Sequence, residues 1–297
     1  MRHRDAVAAR FSAELAGQLG QGIADLRAIG GGSICAAYRA ELDDGTVAFV
    51  KTLDAAPAGF FEAEAAGLAL LAEDGASGGA RVPVVLAVAP GALALEWVEP
   101  GSPDAAAAED FGRALAATHG TAVGTSFGGP APGFIGSAPL DNTPAESWPE
   151  FYARRRVLPY LRTAVDRRSI GPADAAAVDA VLADLDRLAG PAEPPAQVHG
   201  DLWSGNVLWA ADGRVRLIDP AAHRGHRETD LAMLALFGAP HLGRILAAYD
   251  EARPLAPGWR GRVGLHQLHP VLVHAVLFGG SYGAQAGALA RAALSGG

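Results

Sequence analysis

His199-Gly-Asp-Leu-Trp-Ser-Gly-Asn206, then Val207-Leu-Trp-Ala-Ala-Asp-Gly213 and Arg214-Val-Arg-Leu-Ile-Asp219-Pro220, is the stretch on which the fold turns. Two apolar runs of similar length flank the turn at Ala211-Asp-Gly213, which predicts a β-hairpin. Paired strands lie about 5 Å apart. Asn206, entering the hairpin, and Asp219, leaving it, therefore come side by side at its open end. Two oxygen ligands at that spacing suit a hard cation such as Mg²⁺. Asp201 falls in the loop just before, placed to accept or orient a hydroxyl proton. A polar loop closed by Asx turns would use the same residue types. Three of them converging on one end of one hairpin favour chemistry.

Upstream, a single lysine stands out. Of the 24 basic residues only Lys51 is a lysine; the rest are arginine. An ammonium is a compact point charge on a flexible stem, which a guanidinium does not copy. Lys51 ends the apolar strand Thr46-Val-Ala-Phe-Val-Lys51. A helix is expected from Phe60 to Glu73. On it, Phe61, Glu64, Leu68 and Leu71 share one face, with Glu64 its only charge. A carboxylate facing a core needs a partner, and Lys51 is the natural one. Just before the strand comes Gly30-Gly-Gly-Ser-Ile-Cys-Ala-Ala-Tyr38. Glycines let backbone N–H groups approach phosphate. A glycine turn between strands is ordinarily only a turn, and no Walker GK[ST] follows.

The rest of the chain divides around these motifs. Residues 1–20 read as a helix, 25–52 as strands around turns, and Val82 to Val98 as two or three further strands. Glu99-Pro-Gly-Ser-Pro103 is rich in breakers. Beyond it, helices are expected over Asp104–His119, Trp148–Asp166, Pro172–Leu188 and most of the chain from Asp230. The expectation is an α+β, two-lobed architecture, with a small β-rich lobe over residues 1–98 and a larger helical lobe over 99–297.

Composition narrows the function. The 297 residues carry a net charge of −8, which argues against nucleic acid as a partner. No apolar run reaches the roughly 18 residues of a membrane helix, and the first residues lack a signal-like apolar core. One cysteine, Cys35, excludes an intrachain disulfide. A cytoplasmic protein is expected.

Taken together, His199, Asp201, Asn206, Asp219, Lys51 and Glu64 stand where the protein-kinase-like fold has its H-x-D-x-x-x-x-N loop, its downstream metal-binding Asp and its strand-lysine/helix-glutamate pair. The sequence resembles one branch more fully, the fructosamine kinase (ketosamine-3-kinase) family. The resemblance rests on GGSICAAYRA at 31–40, FVK at 49–51, FEAEAAGL at 61–68, ALEWVEP at 94–100, LDNTPAESWPEFYARRRVLPYL at 140–161, VHGDLWSGNVLW at 198–209, IDPAAHRGHRETDLAML at 218–234 and LFGGSYGAQA at 277–286. It implies ATP- and Mg²⁺-dependent phosphorylation of the sugar 3-hydroxyl of ketosamines, small or protein-bound, which labilises the adduct and so deglycates protein. By the same resemblance Gly31, Gly32 and Ser33 with Lys51 would bind ATP phosphates, and Glu96 and Val98 would offer backbone groups to adenine. Asp201 would be the base, Asn206 and Asp219 the metal ligands, and Trp203 a wall for the sugar. Kinases of other hydroxyls, of aminoglycoside or choline type, and a non-catalytic nucleotide-binding module remain the alternatives.

Some features depart from the pattern or stand apart from it. Certain family members carry a loop cysteine that links two chains. Here Ser33 holds that position and Cys35 lies two residues on, which suits a small apolar strand residue. Asp219 is followed by Pro-Ala, and only ten residues separate it from Asp230, too few for a long activation segment. Asp230 reads as a helix cap or as a support for the catalytic loop. His266, His269 and His274 share no single helical face and read as ordinary helix histidines. Arg154–Arg156 and Arg167-Arg168 read as solvated faces.

Overall fold

The computed structural model describes residues 13–30, 34–76, 78–121 and 124–296. Gly31, Gly32 and Ser33 lie outside these residues. Helix α1 (residues 13–19) leads into an antiparallel sheet of five strands. These are β1 (Ile23–Ile29), β2 (Ala36–Leu42), β3 (Val47–Thr52), β4 (Val85–Ala89) and β5 (Ala92–Glu96), in the order β1-β2-β3-β5-β4. Helix α2 (Phe60–Ala76) lies between β3 and β4 in the chain.

Strand alternation sorts the sheet's side chains to two faces. Ala48 and Val50 of β3 join Ala92 and Ala94 of β5 in a cluster with Leu15 of α1. Phe49, Leu93 and Leu95 face the other way, against Phe60, Phe61 and Leu68 of α2. Lys51 has the same parity as Phe49 and so points at α2. Phe61, Leu68 and Leu71 are at most 1% exposed and Glu64 is 8% exposed on the same stripe. The sheet thus has helices on both faces, with one buried charge pair on the α2 side.

After the breaker-rich stretch, α3 (Ala105–Thr118) starts on Asp104, whose side chain accepts from the Ala107 N–H. The short hairpin β6 (Gly133–Ile135)/β7 (Ala138–Leu140) follows. Then α4 (Trp148–Phe151) runs through a π-helical turn, Tyr152–Val157, into α5 (Leu158–Asp166). The helix expected over Pro172–Leu188 is broken at Asp184 into α6 (Pro172–Ala183) and α7 (Leu185–Leu188). Strand β8 (Ala196–Val198) pairs with β11 (His223–Gly225), and β9 (Val207–Trp209) with β10 (Val215–Leu217), both antiparallel. Helices α8 (Glu228–Leu236), α9 (Leu242–Ala252), α10 (Trp259–Phe278) and α11 (Tyr282–Ser295) complete the body. No helix among the described residues is long and apolar enough to cross a membrane.

The strands of the sheet are clipped to the β9–β10 hairpin at two places. Past β5, the Gly101 N–H donates to Trp209 O at 2.7 Å and the Ala211 N–H to Glu99 O at 2.8 Å. A Cβ at Gly101 would collide with the Ala210 backbone, so glycine is what permits this approach. Before β4, the Leu217 N–H donates to Arg81 O at 2.8 Å.

Candidate active site

The open end of the β9–β10 hairpin is built as its register demands. Leu217 pairs with Val207, and the Ile218 N–H donates to Asn206 O at 3.1 Å. Asn206 and Asp219 are thereby neighbours. The Asn206 Nδ2 donates to Asp201 O at 2.8 Å and to Asp201 Oδ2 at 3.2 Å. Its amide donors are spent inward, leaving Oδ1 as an acceptor. Asp219 has φ 55°, a left-handed conformation uncommon outside glycine, and the following Pro220 narrows its choices further. Its side chain is half exposed. Asn206 Oδ1 and the Asp219 carboxylate are hard oxygen donors, the set that Mg²⁺ takes.

Lys51 meets this end from the sheet. Its Nζ lies 2.5 Å from Glu64 Oε2 and 2.7 Å from Asp219 Oδ1. Burial by itself lowers a lysine's pKa; here the Glu64 and Asp219 carboxylates outweigh it and raise the pKa above the ordinary value. The ammonium is therefore firmly charged. Asp201 shows the opposite balance. Burial, with the Asp219 charge adding to it, pushes its carboxyl up to about 7.

Asp230 holds the loop that carries Asp201. It lies in the first turn of α8, fully buried. Its Oδ2 accepts the His199 N–H at 2.7 Å and its Oδ1 the Gly200 N–H at 3.0 Å. His119 Nε2 adds a bond to Oδ2 at 3.1 Å, while His119 Nδ1 meets the Tyr249 hydroxyl at 2.9 Å. Of the two readings for Asp230, support of the loop is the one built here. His199 completes the brace, with Nε2 on Ile218 O at 2.9 Å and Nδ1 accepting the Asp201 N–H at 3.2 Å. Burial lowers the His199 pKa, which keeps the ring neutral as those bonds require.

These residues face a cleft of about 1180 Å³ that takes in Lys51, Glu64, Asp201, Asn206 and Asp219. Trp203 lines it and is 39% exposed. A Cβ on Gly205 would collide with the Trp203 ring, so the indole lies over bare backbone. Gly30, Ile34 and Cys35 flank the segment expected to meet phosphate, and all three line the cleft. Cys35 packs against the Phe60 cluster, and burial pushes its thiol up to about 11. Glu96 ends β5, and its N–H donates to Val84 O at 2.8 Å. Of the Glu96 backbone groups expected to meet adenine, only the carbonyl is left. Val98 follows two residues on, and neither residue lines this cleft.

Other parts of the cleft carry no local sequence signal. The β6–β7 hairpin forms one wall, with Phe134 5.2 Å from Phe60 of α2. Phe237, His274, Phe278 and Tyr282 form another. His266 of α10 also acquires a carboxylate that the sequence reading did not foresee. His226, Glu228 and His266 bring ligand atoms within 4.8 Å of one another. Arg262, however, grips both Glu228 oxygens, at 2.5 and 3.0 Å, so the cation there is a guanidinium and the cluster is structural.

A small antiparallel sheet clipped to a helical body, with a buried lysine–glutamate pair facing an H-x-D-x-x-x-x-N loop, defines a protein-kinase-like phosphotransferase. The sequence profile of the family described as fructosamine kinase matches residues 7–295. A protein of Thermus thermophilus named "Probable ketoamine kinase" is 39% identical over 82% of this chain and 85% of its own. A chloroplastic protein-ribulosamine 3-kinase of Oryza sativa subsp. indica is 32% identical over 88% of this chain and 76% of its own. A crystal structure from Thermobifida fusca, described as a fructosamine-3-kinase, superposes with a TM-score of 0.89 at 51% identity, covering 96% of this chain and 98% of that one. The chain belongs to the fructosamine kinase family, and it is a kinase.

Proposed function

We propose that the protein transfers the γ-phosphoryl group of ATP to the sugar 3-hydroxyl of a ketosamine, free or attached to protein, within the two lobes 1–98 and 99–297. The observation that carries this reading is the convergence of Lys51, Glu64, Asp201, Asn206 and Asp219, from four separate stretches of chain, on one cleft. The family and the ribulosamine kinase relative support the substrate class.

In this reading Lys51, aimed by Glu64, meets the α/β-phosphates, and Gly31, Gly32 and Ser33 offer backbone N–H groups to them. Glu96 and Val98 serve the adenine with backbone groups. Asn206 and Asp219 would hold Mg²⁺, which neutralises phosphate charge. Asp201 accepts the proton of the attacking hydroxyl; a carboxyl raised toward neutrality is a better matched base than an ordinary one. Trp203 walls the sugar. The protein's contribution is then mainly positioning and charge placement.

The test is mass spectrometry of synthetic fructosyl- or ribulosyl-lysine after incubation with enzyme and Mg-ATP. A gain of one phosphoryl group with the wild type, and none with Asp201→Asn while nucleotide still binds, is the expected result. Phosphorylation of some other alcohol, with none on the ketosamine, would overturn the substrate and keep the chemistry.

A further inference from the structure

The wall of the cleft opposite the sheet is aromatic. His274 and Phe278 lie four residues apart on α10 and share a face. Tyr282 opens α11, and Phe237 directly follows α8. His274 is the hub, its ring 5.2 Å from Phe237, 5.5 Å from Phe278 and 5.0 Å from Tyr282. Trp203 joins through Phe237 at 6.0 Å. All five line the cleft that holds Asp201.

Three of these rings are kept in the open. Six large hydrophobic side chains are exposed among the described residues, and Trp203, Phe237 and Phe278 are three of them, at 39, 41 and 53%. A cluster of exposed rings beside a reaction centre marks a ligand surface. Among the described residues, no arginine or lysine is found over their faces. The arginine–ring contacts found among the described residues involve Trp97, Phe151 and Trp259 instead. Among the described residues, the charges lining the same cleft are Glu64, Asp201 and Asp219 against Lys51 and Arg224, and Lys51 already sits between two of the acids. Electron-rich ring faces that no described arginine covers favour a positive ligand.

His274 fits such an occupant. Its Nδ1–H donates to Pro270 O at 2.7 Å, which leaves Nε2 with the lone pair. Burial lowers its pKa, so the ring stays neutral and does not repel a positive ligand.

Resting on the ketosamine reading, we propose that Trp203, Phe237, His274, Phe278 and Tyr282 select the acceptor by the positive charge on its amine. A ketosamine nitrogen is a secondary amine, protonated at neutral pH, and a neutral sugar derivative of the same shape is discriminated against.

The experiment compares Nε-fructosyl-lysine with the ether in which oxygen replaces its linking nitrogen, by turnover with Mg-ATP and by calorimetric binding. The amine is expected to show a KM and a Kd at least about ten-fold lower than the ether. Phe237→Leu and Phe278→Leu, both at exposed positions, are expected to reduce that preference about three-fold each, with the loss in KM rather than kcat. Equal constants for the two acceptors, or equal losses on both in the variants, would overturn the charge-reading wall and leave the kinase reading standing. Preferential binding of the amine without phosphoryl transfer would keep the wall and overturn the ketosamine kinase reading. No binding of either compound would overturn both.

Discussion

Lys51 and Glu64 are both buried, but they are not equivalent to lose. Lys51 has a second carboxylate at 2.7 Å in Asp219. Among the described residues Glu64 has no ion-pair partner but Lys51, and its Oε1 is buried without a hydrogen-bond partner. Lys51→Met therefore strands a buried carboxylate, whereas Glu64→Gln leaves the ammonium with Asp219 and an amide oxygen nearby. Stranding a buried charge costs about 3–5 kcal/mol. Removing one of two partners from a charge that stays paired should cost about 1–2 kcal/mol, the scale of a charged hydrogen bond. Replacing both, in Lys51→Met with Glu64→Leu, removes the stranded charge and should bring stability back to within about 1 kcal/mol of the wild type. Urea unfolding of the four proteins, with unchanged slopes, reads these differences directly. The double variant is expected to recover about 2–4 kcal/mol relative to Lys51→Met. A Lys51→Met cost no larger than that of Glu64→Gln, or a double variant no more stable than Lys51→Met, would refute the asymmetry.

Further outcomes follow from other parts of the cleft and core. Burial alone would raise the Glu228 carboxyl, but the adjacent His266 ring and hydrogen bonds from Arg262 hold it down at about 2, against an ordinary 4.5. A depressed folded-state pKa gives stability that is present above the ordinary value and lost as pH falls toward the folded one. The urea-midpoint gap between wild type and Glu228→Gln should thus shrink between pH 5 and about pH 3; a gap constant with pH would contradict it. Gly205→Ala forces the Trp203 ring off its backbone seat, and acceptor kcat/KM should fall by about 10²-fold, with wild-type kinetics the refuting result. With its thiol near 11, Cys35 should be on the order of one part in a thousand thiolate at pH 7.5 to 8. Its labelling by a disulfide reagent should be far slower in the folded protein than after unfolding in urea, and chains should not crosslink through it in air.

What could be read from the sequence was whatever two neighbouring elements decide between them. Glu64 was legible because helical spacing put one charge among Phe61, Leu68 and Leu71, and the chain offered Lys51 as its sole lysine to pair with it. Asn206 and Asp219 were legible because a hairpin's closure fixes its open end. The aromatic wall was not, since Trp203, Phe237, His274 and Tyr282 come from separate segments whose meeting is a matter of tertiary packing. The β6–β7 hairpin was missed because three-residue strands are too short to show alternation. The link of His226 and Glu228 to His266 and Arg262 joins α8 and the residues before it to α10, across 34 positions or more, beyond any local period. Glu96 shows a subtler gap: it was expected to offer backbone groups to adenine, but only the structure shows that its N–H is already taken.

The paired clips between sheet and hairpin bear on how such an enzyme could breathe. A body tethered at one joint swivels freely; one pinned at two points is left a single rocking axis through both pins. Here that axis passes along the β9–β10 hairpin, at Trp209–Ala211 and Leu217. Leu217 is two residues from Asp219, so the aspartate rides close to the pivot while the far edge of the sheet, β1 and β2, sweeps the widest arc. Reactants could then come and go through a gap that opens at the rim, with the acidic centre scarcely disturbed.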